Sequence, residues 1–196
     1  MASLLDYPAM LFRELFVPRK AQSFTVAEIG WTLTLPKNFC ILSAKQIARF
    51  TKRGMKGLDD VIQKKNISPG RKILLVAKYE IHNSIIITFA NFDDTTEDDW
   101  KTQNDYLYNS ALKICHFRYK DFKHVDITTE SGARQKGNIV FNALDIIAGT
   151  PSRELYHRRH YSTLYKNYGI HIIMSFIEEK IGEEMLDIIR NSTFGI

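Results

Sequence analysis

The amino-acid sequence predicts an α+β fold in which helices cover the faces of one antiparallel sheet. Two observations support this class. Several strand-like segments follow one another without a helix between them, which favours antiparallel pairing over parallel crossovers. Between these runs lie segments whose apolar residues recur every three or four positions, as in amphipathic helices. The predicted order is one strand, two helices, two strands, one long helix, four strands and a final helix.

An N-terminal helical appendage is predicted to precede the domain. Asp6 can cap a short helix that admits Pro8 in its first turn and ends at Pro18. A polar stretch separates this helix from the first strand signal. We therefore predict an appendage over residues 1–22 and a single α+β domain over residues 23–196, which agrees with a length of 196 residues.

The first half of the domain is predicted to contain three strands and a pair of helices. Trp31, Leu33 and Leu35 alternate with threonines, which indicates a half-buried strand. Ser43 and Gln46 have the spacing of a capping box, which indicates the start of a helix. The predicted elements are a strand at 29–36, a helix from 43, a short helix at 58–65, and two strands at 72–80 and 84–92.

A long helix is predicted to follow an acidic segment. Five of the seven residues from Asp93 to Asp99 are acidic, and carboxylates are stabilised near the N-terminus of a helix by its dipole. Thr96 and Asp99 resemble a capping box. Cation binding is the alternative, although a glycine-pinned calcium loop is absent. The apolar face of the helix, which runs to about residue 116, consists of Trp100, Leu107, Ala111 and Ile114.

The last third of the chain is predicted to add four strands and a helix. Apolar alternation indicates the strands, and glycine- and proline-containing segments indicate the breaks between them. Glutamates at the start and an arginine at the end are typical of the final helix. The predicted elements are strands at 122–129 and 138–147 around a turn at 132–137, a hairpin of strands at 153–165 and 170–177, and a helix at 178–190.

Four stretches of this sequence together resemble the PsbP-like superfamily. Ile29-Gly30-Trp31-Thr32-Leu33-Thr34-Leu35-Pro36 is similar to an opening strand that ends in proline. Residues 72–92 resemble the central hairpin of the family, and residues 153–176 resemble a late hairpin that carries tyrosines. Asn191-Ser192-Thr193-Phe194 is similar to the short segment after the final helix. The resemblance covers most of residues 29–194.

The resemblance implies a PsbP-like α/β/α architecture, with an antiparallel sheet sandwiched by helices. Superfamily members include extrinsic photosystem subunits, a Ran-binding nuclear import factor and bacterial chaperones for secreted effectors. Most act as binding or scaffolding modules. Because a fold does not define a partner and the family has no common catalytic motif, the resemblance assigns no functional residue here.

The charge, the cysteine spacing and the lack of targeting patterns set only broad limits on the class of protein. The net charge of +5 and the pI of about 9.1 slightly favour an acidic partner but do not identify nucleic acid or membrane. Cys40 and Cys115 lack the spacing of a zinc site and are predicted to be reduced and buried, with one bridge between them as the alternative in an oxidising compartment. Neither a signal-peptide pattern nor a membrane span is recognisable. We predict a cytoplasmic protein, although a removed export signal would leave no trace.

The sequence contains none of the strong local catalytic motifs. It has no G-x-x-x-x-G-K, G-x-G-x-x-G, H-E-x-x-H or G-x-S-x-G. Acid–base sites assembled from distant residues leave no such trace. We predict a non-catalytic protein without cofactor or metal that binds another protein. Aromatic residues that could line a ligand cavity, or equally belong to the core, are Tyr106, Tyr108, Phe117, Tyr119 and Phe122.

The predicted partner-binding residues lie in the late hairpin. In an extended strand, Tyr156, Arg158 and His160 face one side, whereas His157 faces the other, so the two histidines of this strand cannot share a metal. His171 can join the first side across the hairpin. These four side chains, Tyr156, Arg158, His160 and His171, are predicted to form an anion-binding patch for the partner. The alternative is a solvated sheet face.

A basic segment suggests an alternative function. Residues 43–72 contain nine basic and two acidic residues, a net charge of +7. Within them, a G-x-x-G loop between two predicted helices resembles the KH module, in which such a loop clamps single-stranded nucleic acid. A helix C-cap and turn would also explain the glycines. The alternative nucleic-acid-binding residues are Lys52, Arg53, Gly54, Lys56 and Gly57.

Overall fold

The computed structural model describes residues 20–48, 72–79, 82–92, 96–119, 126–136, 139–150 and 152–194. The predicted appendage helix, the predicted helix at 58–65 and the G-x-x-G loop lie outside these residues. A 3-10 turn at Ala27–Ile29 and helical residues 44–48 accompany the main elements. The strands are β1 Gln22–Val26, β2 Trp31–Leu35, β3 Cys40–Ile41, β4 Lys72–Tyr79, β5 Asn83–Asn91, β6 Asp126–Lys136, β7 Ile139–Thr150, β8 Arg153–Tyr165, β9 Tyr168–Phe176 and β10 Thr193–Phe194, and the helices are α1 Glu97–Tyr119 and α2 Glu179–Arg190.

The described strands form two sheets. The large sheet has seven strands in the order β3-β4-β5-β9-β8-β7-β6, and every neighbouring pair is antiparallel. The small sheet has the order β1-β2-β10 and is also antiparallel. Helix α1 packs on one face of the large sheet, whereas α2 and the small sheet pack on the other. The predicted α+β fold, an antiparallel sheet between helices, is confirmed.

The main core lies on the α2 face of the large sheet. Trp31, Leu33 and Leu35 are buried there, as the period-two pattern of β2 predicts. The indole Nε1 of Trp31 donates a hydrogen bond of 2.9 Å to the hydroxyl of Ser192, which ties the small sheet to the chain after α2. The inward residues of α2 that we expected from its helical spacing, Ile181, Met185 and Ile188, are all buried.

Helix α1 begins with the predicted capping box. The backbone N–H and hydroxyl of Thr96 donate to the Asp99 carboxylate at 3.0 and 2.8 Å, and the Asp99 N–H donates back to the Thr96 hydroxyl at 3.2 Å. Farther along, Ala111 and Cys115 pack on Leu144 of β7. The acidic segment before α1 therefore includes a helix start, in agreement with its structural interpretation.

The hairpin of β8 and β9 is tighter than the sequence pattern predicts. We expected a four-residue connection over 166–169, but only Lys166 and Asn167 lie between the strands. Both have positive φ, 49° and 62°, as in the type I′ turns that match the twist of a two-residue hairpin. Gly169 belongs to β9, and a Cβ atom there would lie 2.6 Å from the Phe92 ring. Gly169 therefore allows the Phe92 ring to pack closely against β9, and it is not part of the turn.

The predicted end of β6 is wrong. We expected a strand at 122–129, of which 122–125 lie outside the described residues, and a turn at 132–137, but the described strand continues to 136 and includes Gly132. Eleven consecutive residue pairs join it to β7 without a register shift. The pairing therefore overrides the weak strand propensity of the Ser131-Gly132 dipeptide. The short strands β1, β3 and β10 were also not predicted. Strand β1 does alternate, with Thr25 between Phe24 and Val26, whereas β3 and β10 have only two residues each.

Two further expectations concern the cysteines and the membrane. Cys40 and Cys115 are both buried, as predicted, and both are free cysteines. None of the helices in the described part of the chain is long and apolar enough to cross a membrane. The cytoplasmic location stays a prediction.

Candidate functional site

Strand β8 divides the predicted binding residues between the two faces of the sheet. His157 stacks on Phe176 on the α2 face, with ring centroids 4.9 Å apart. His160 lies on the α1 face, where its ring is 6.1 Å from that of Tyr108 of α1. The expectation that these two histidines point apart is therefore confirmed, and the reason is the alternation of side chains along an extended strand.

His160 and His171 meet on the α1 face, as predicted across the hairpin. Nδ1 of His160 lies 3.2 Å from Nε2 of His171, a hydrogen-bond distance, and both side chains are almost completely buried. In such a contact the protonated nitrogen of one ring donates a hydrogen bond to the unprotonated nitrogen of the other. In the part of the chain that the structure describes, Nε2 of His160 is buried without a hydrogen bond.

Tyr108 and Ser162 complete this group, which we call the histidine cluster (Tyr108, His160, Ser162 and His171). The Tyr108 hydroxyl donates a hydrogen bond of 2.7 Å to the backbone carbonyl of Asn142. Because that bond uses its single proton, the hydroxyl accepts the second bond, 2.8 Å long, from Ser162. The cluster therefore fastens α1 to both β7 and β8.

Burial controls the ionisation of the cluster. Desolvation lowers the pKa of His160 well below its ordinary value, and the positive charge of Arg158 and the neighbouring His171 lower it further. Desolvation also raises the pKa of the Tyr108 hydroxyl, although its hydrogen bond to Ser162 acts in the opposite direction. Burial therefore favours the neutral forms of His160 and Tyr108 at neutral pH.

The space beside the histidine cluster is too small for a ligand. A cavity of about 10 Å³ lies next to Asn104, Ser162 and His171, which is room for about one water molecule. Of the four predicted partner-binding residues, Tyr156, His160 and His171 are buried and only Arg158 is partly exposed. The structure brings three of them under α1 rather than onto a solvated face.

A second polar group, the arginine cluster (Asp145, Arg159, Glu179 and Glu183), lies on the α2 face. The Arg159 guanidinium contacts the Glu179 carboxylate, and it lies 3.1 Å from Glu183 and 3.7 Å from Asp145. It also lies over the Phe176 ring, 5.1 Å from the centroid. Burial raises the pKa of Asp145, partly offset by the charge of Arg159. These contacts join the start of α2 to β7 and β8.

A shallow groove separates the arginine cluster from β6. Its volume is about 290 Å³, near the lower limit for ligand-binding cavities. Its charged residues are Glu130, Asp145 and Arg159, and Arg159 is already bound to carboxylates. Within the described ranges, no three His, Cys, Asp or Glu side chains are placed so that they could hold a metal ion. The lining of the groove is Thr128, Thr129, Glu130, Asp145, Ile146, Ile147, His157 and Arg159.

Strand β6 forms one wall of the groove and one edge of the large sheet. It pairs with β7 on one side, and in the described part of the chain no strand pairs with its other side. The side chains from Thr128 to Arg134 are all exposed. This edge is eleven residues long, whereas β3 at the opposite edge has two residues.

Comparison with solved structures identifies a protein with a similar fold. No family model and no curated protein matches the sequence. Among solved structures, the chain is similar to the solution structure of cyanobacterial PsbP (CyanoP) from Synechocystis sp. PCC 6803. The TM-score is 0.54 at 14% sequence identity, over 91% of this chain and 94% of that one. This chain has a PsbP-like fold. The superfamily resemblance in the sequence is therefore confirmed at the level of fold.

Several contacts of this PsbP-like domain were not predicted. Tyr108 and Ser162 gave no sign of joining the histidines, because an α1 residue and a β8 residue meet only after the helix docks on the sheet. The carboxylates of α2 were interpreted as helix-start residues, and their contacts with Arg159 were missed. Among the aromatic residues proposed for a cavity, Phe117 is 55% exposed, whereas Tyr119 contacts Tyr156. The period-two alternation of β8 was the one signal that located His160 correctly.

Proposed function

We propose that this PsbP-like domain is a non-catalytic protein-binding module whose partner adds an extended segment to the outer edge of β6. One observation carries the proposal: the outer side of Asp126–Lys136 is uncovered by any described strand. In an antiparallel sheet, alternate residues direct their N–H and C=O groups toward opposite neighbours. About half of the β6 backbone groups therefore point away from β7, where a further strand can bind them.

Strand β6 is long and has neither the bulges nor the proline that often protect a sheet edge. Such edges are short, interrupted by bulges, or contain proline. The sequence DITTESGARQK has no proline, and the register with β7 continues without a shift. Glu130 and Arg134 are exposed on this strand, and such charges disfavour unspecific pairing. A partner with matching charges would still fit.

The four residues predicted to bind the partner take different roles in this proposal. In this proposal Tyr156, His160 and His171 help to attach α1, which is supported by their burial: a partner cannot reach them while α1 is docked. Arg158 remains a candidate contact. The acidity of the partner stays a prediction. Single-stranded nucleic-acid binding also stays a prediction, since its residues lie outside those described.

Site-specific photo-crosslinking tests the proposal. We would introduce p-benzoylphenylalanine at Thr129 of β6 and, as a matched control, at Thr34 of β2, since both are exposed strand threonines. After irradiation in cells that express the chain, mass spectrometry should identify protein adducts at position 129 that are missing at position 34. Equal adducts at both positions, or none at position 129, would contradict binding at this edge.

A pair of proline substitutions adds a backbone control. Ser131→Pro and Gly132→Pro remove adjacent N–H groups, of which one faces β7 and the other faces outward. Urea unfolding should distinguish them, because loss of the bond to β7 lowers the free energy of unfolding more. The more stable proline variant should lose the adducts at Thr129. If both variants retain those adducts, strand addition is wrong.

A further inference from the structure

We propose that the segment added to β6 is β6 of a second copy of this chain, so that two large sheets join across a twofold axis. This inference rests on the proposed function, because it names the partner at the same edge. The argument comes from the order of charges along β6. Asp126 and Glu130 precede Gly132, whereas Arg134 and Lys136 follow it. A strand with this polarity is complementary to itself when two copies run antiparallel.

One register overlaps all eleven residues of both strands. Ser131 then lies at the twofold axis opposite Ser131 of the second copy. Each residue before Ser131 faces the residue that lies the same number of positions after Ser131 in the other copy. Asp126 is opposite Lys136, and Glu130 is opposite Gly132. In this register, even-numbered residues face even-numbered residues and odd-numbered residues face odd-numbered ones. Because alternate side chains point to opposite faces of a sheet, the α2 faces of the two sheets lie on the same side.

The position of Arg134 supports this register. Its Nη1 atom lies 3.5 Å from the point that a Cβ atom of Gly132 would occupy. The guanidinium therefore extends along the strand over Gly132. In the dimer, Glu130 of the second copy stands across from Gly132 and reaches this guanidinium. Twofold symmetry forms the Glu130 to Arg134 contact twice, and opposite charges on neighbouring strands stabilise pairing.

The centre of the interface also has room for close approach. Ser131, Gly132 and Ala133 are small and exposed, so two backbones can come to the spacing of about 4.8 Å that a sheet requires. Glu130 and Asp126 would repel their own copies in a parallel arrangement. The antiparallel pairing is therefore favoured by both shape and charge.

Cysteine crosslinking reads out the register. Facing Cα atoms in an antiparallel pair are about 4.5–5.5 Å apart, within the range for a disulfide. Ser131→Cys should therefore form a covalent dimer under mild oxidation with diamide. Thr129→Cys should not, because its two copies would lie about 13 Å apart along the strands. The native thiols are buried. Equal crosslinking of both variants, or of neither, would overturn the register.

Charge exchange tests the same interface without a crosslink. Sedimentation of the full chain up to about 200 µM should detect a reversible dimer, and Glu130→Arg or Arg134→Glu should raise its dissociation constant about tenfold or more. The double variant should restore it, and Glu28→Arg, an exposed control, should leave it unchanged. Failure of the double variant to restore dimerisation would overturn the inference. If the chain is monomeric but Thr129 still crosslinks to another protein, the dimer is wrong and edge binding stands; loss of both rejects both.

Discussion

Replacement of His160 should make this PsbP-like domain less sensitive to acid. His160 is 1% exposed and contacts His171 under α1. Its pKa in the folded chain lies well below the ordinary value, first because of burial and then because of Arg158. The unfolded chain therefore takes up a proton at a higher pH than the folded chain does. Stability from this group is complete above the unfolded pKa and falls as the pH decreases below it.

The size of the effect follows from the unfolded pKa alone when the folded pKa is much lower. With an unfolded pKa of about 6.5, the unfolding free energy falls by about 1.3 kcal/mol between about pH 7.0 and pH 5.5. His160→Asn removes this proton and retains a polar group near Nδ1. The variant should be less stable than the wild type at pH 7.0, but that difference should shrink by about 1.3 kcal/mol at pH 5.5.

Urea unfolding at the two pH values, followed by circular dichroism, measures the change. His116→Asn is the matched control, because His116 is exposed on the same helix that covers His160. The control should keep the pH dependence of the wild type. If His160→Asn also keeps the pH dependence of the wild type, the pKa of His160 does not differ between the folded and unfolded chains. The inference that burial keeps His160 neutral would then be refuted.

Three other perturbations have defined outcomes. Gly182→Ala should lower the unfolding free energy by about 1–2 kcal/mol, because the added methyl group would lie 2.4 Å from the Phe176 ring; such severe overpacking costs about 2–3 kcal/mol, of which helix propensity returns roughly 1 kcal/mol. An unchanged urea midpoint would contradict that contact. Tyr108→Phe should cost about 1–3 kcal/mol, because the buried Ser162 hydroxyl and the Asn142 carbonyl lose their partner; a loss well below 1 kcal/mol would mean that water replaces the hydroxyl. Lys56→Glu should weaken binding to single-stranded RNA at low salt if the G-x-x-G alternative holds, and absence of binding by the wild type in a gel-shift assay would reject that alternative.

Local sequence patterns were sufficient to predict the buried face of an element that packs on the core with one side. The alternation in β2 and the three-and-four spacing in α2 predicted buried faces correctly, because each side chain direction follows from the period of its element. The capping box at Thr96 was also predictable, since its partners are three residues apart. The resemblance to PsbP-like proteins added the arrangement of these elements, which a structural match at a TM-score of 0.54 confirms.

Elements that depend on distant partners were less predictable. Strand β6 contains glycine and polar residues, and only its long pairing with β7 extends it past Gly132. The hydrogen bond from Trp31 to Ser192 joins residues 161 positions apart. Neither contact has a local pattern, because the stabilising partner is remote in sequence.

For the candidate sites, the sequence by itself determined which face of β8 each side chain takes and that His171 could approach His160. It also determined the order of charges along β6. Only the tertiary structure decided that α1 buries His160 and His171, so that a partner cannot reach these two predicted binding residues while the helix is docked. The tertiary structure also decided that β6 is an edge, because strand order depends on pairings between segments far apart in the chain. Side-chain direction is local, whereas burial and exposure are properties of the assembled layers.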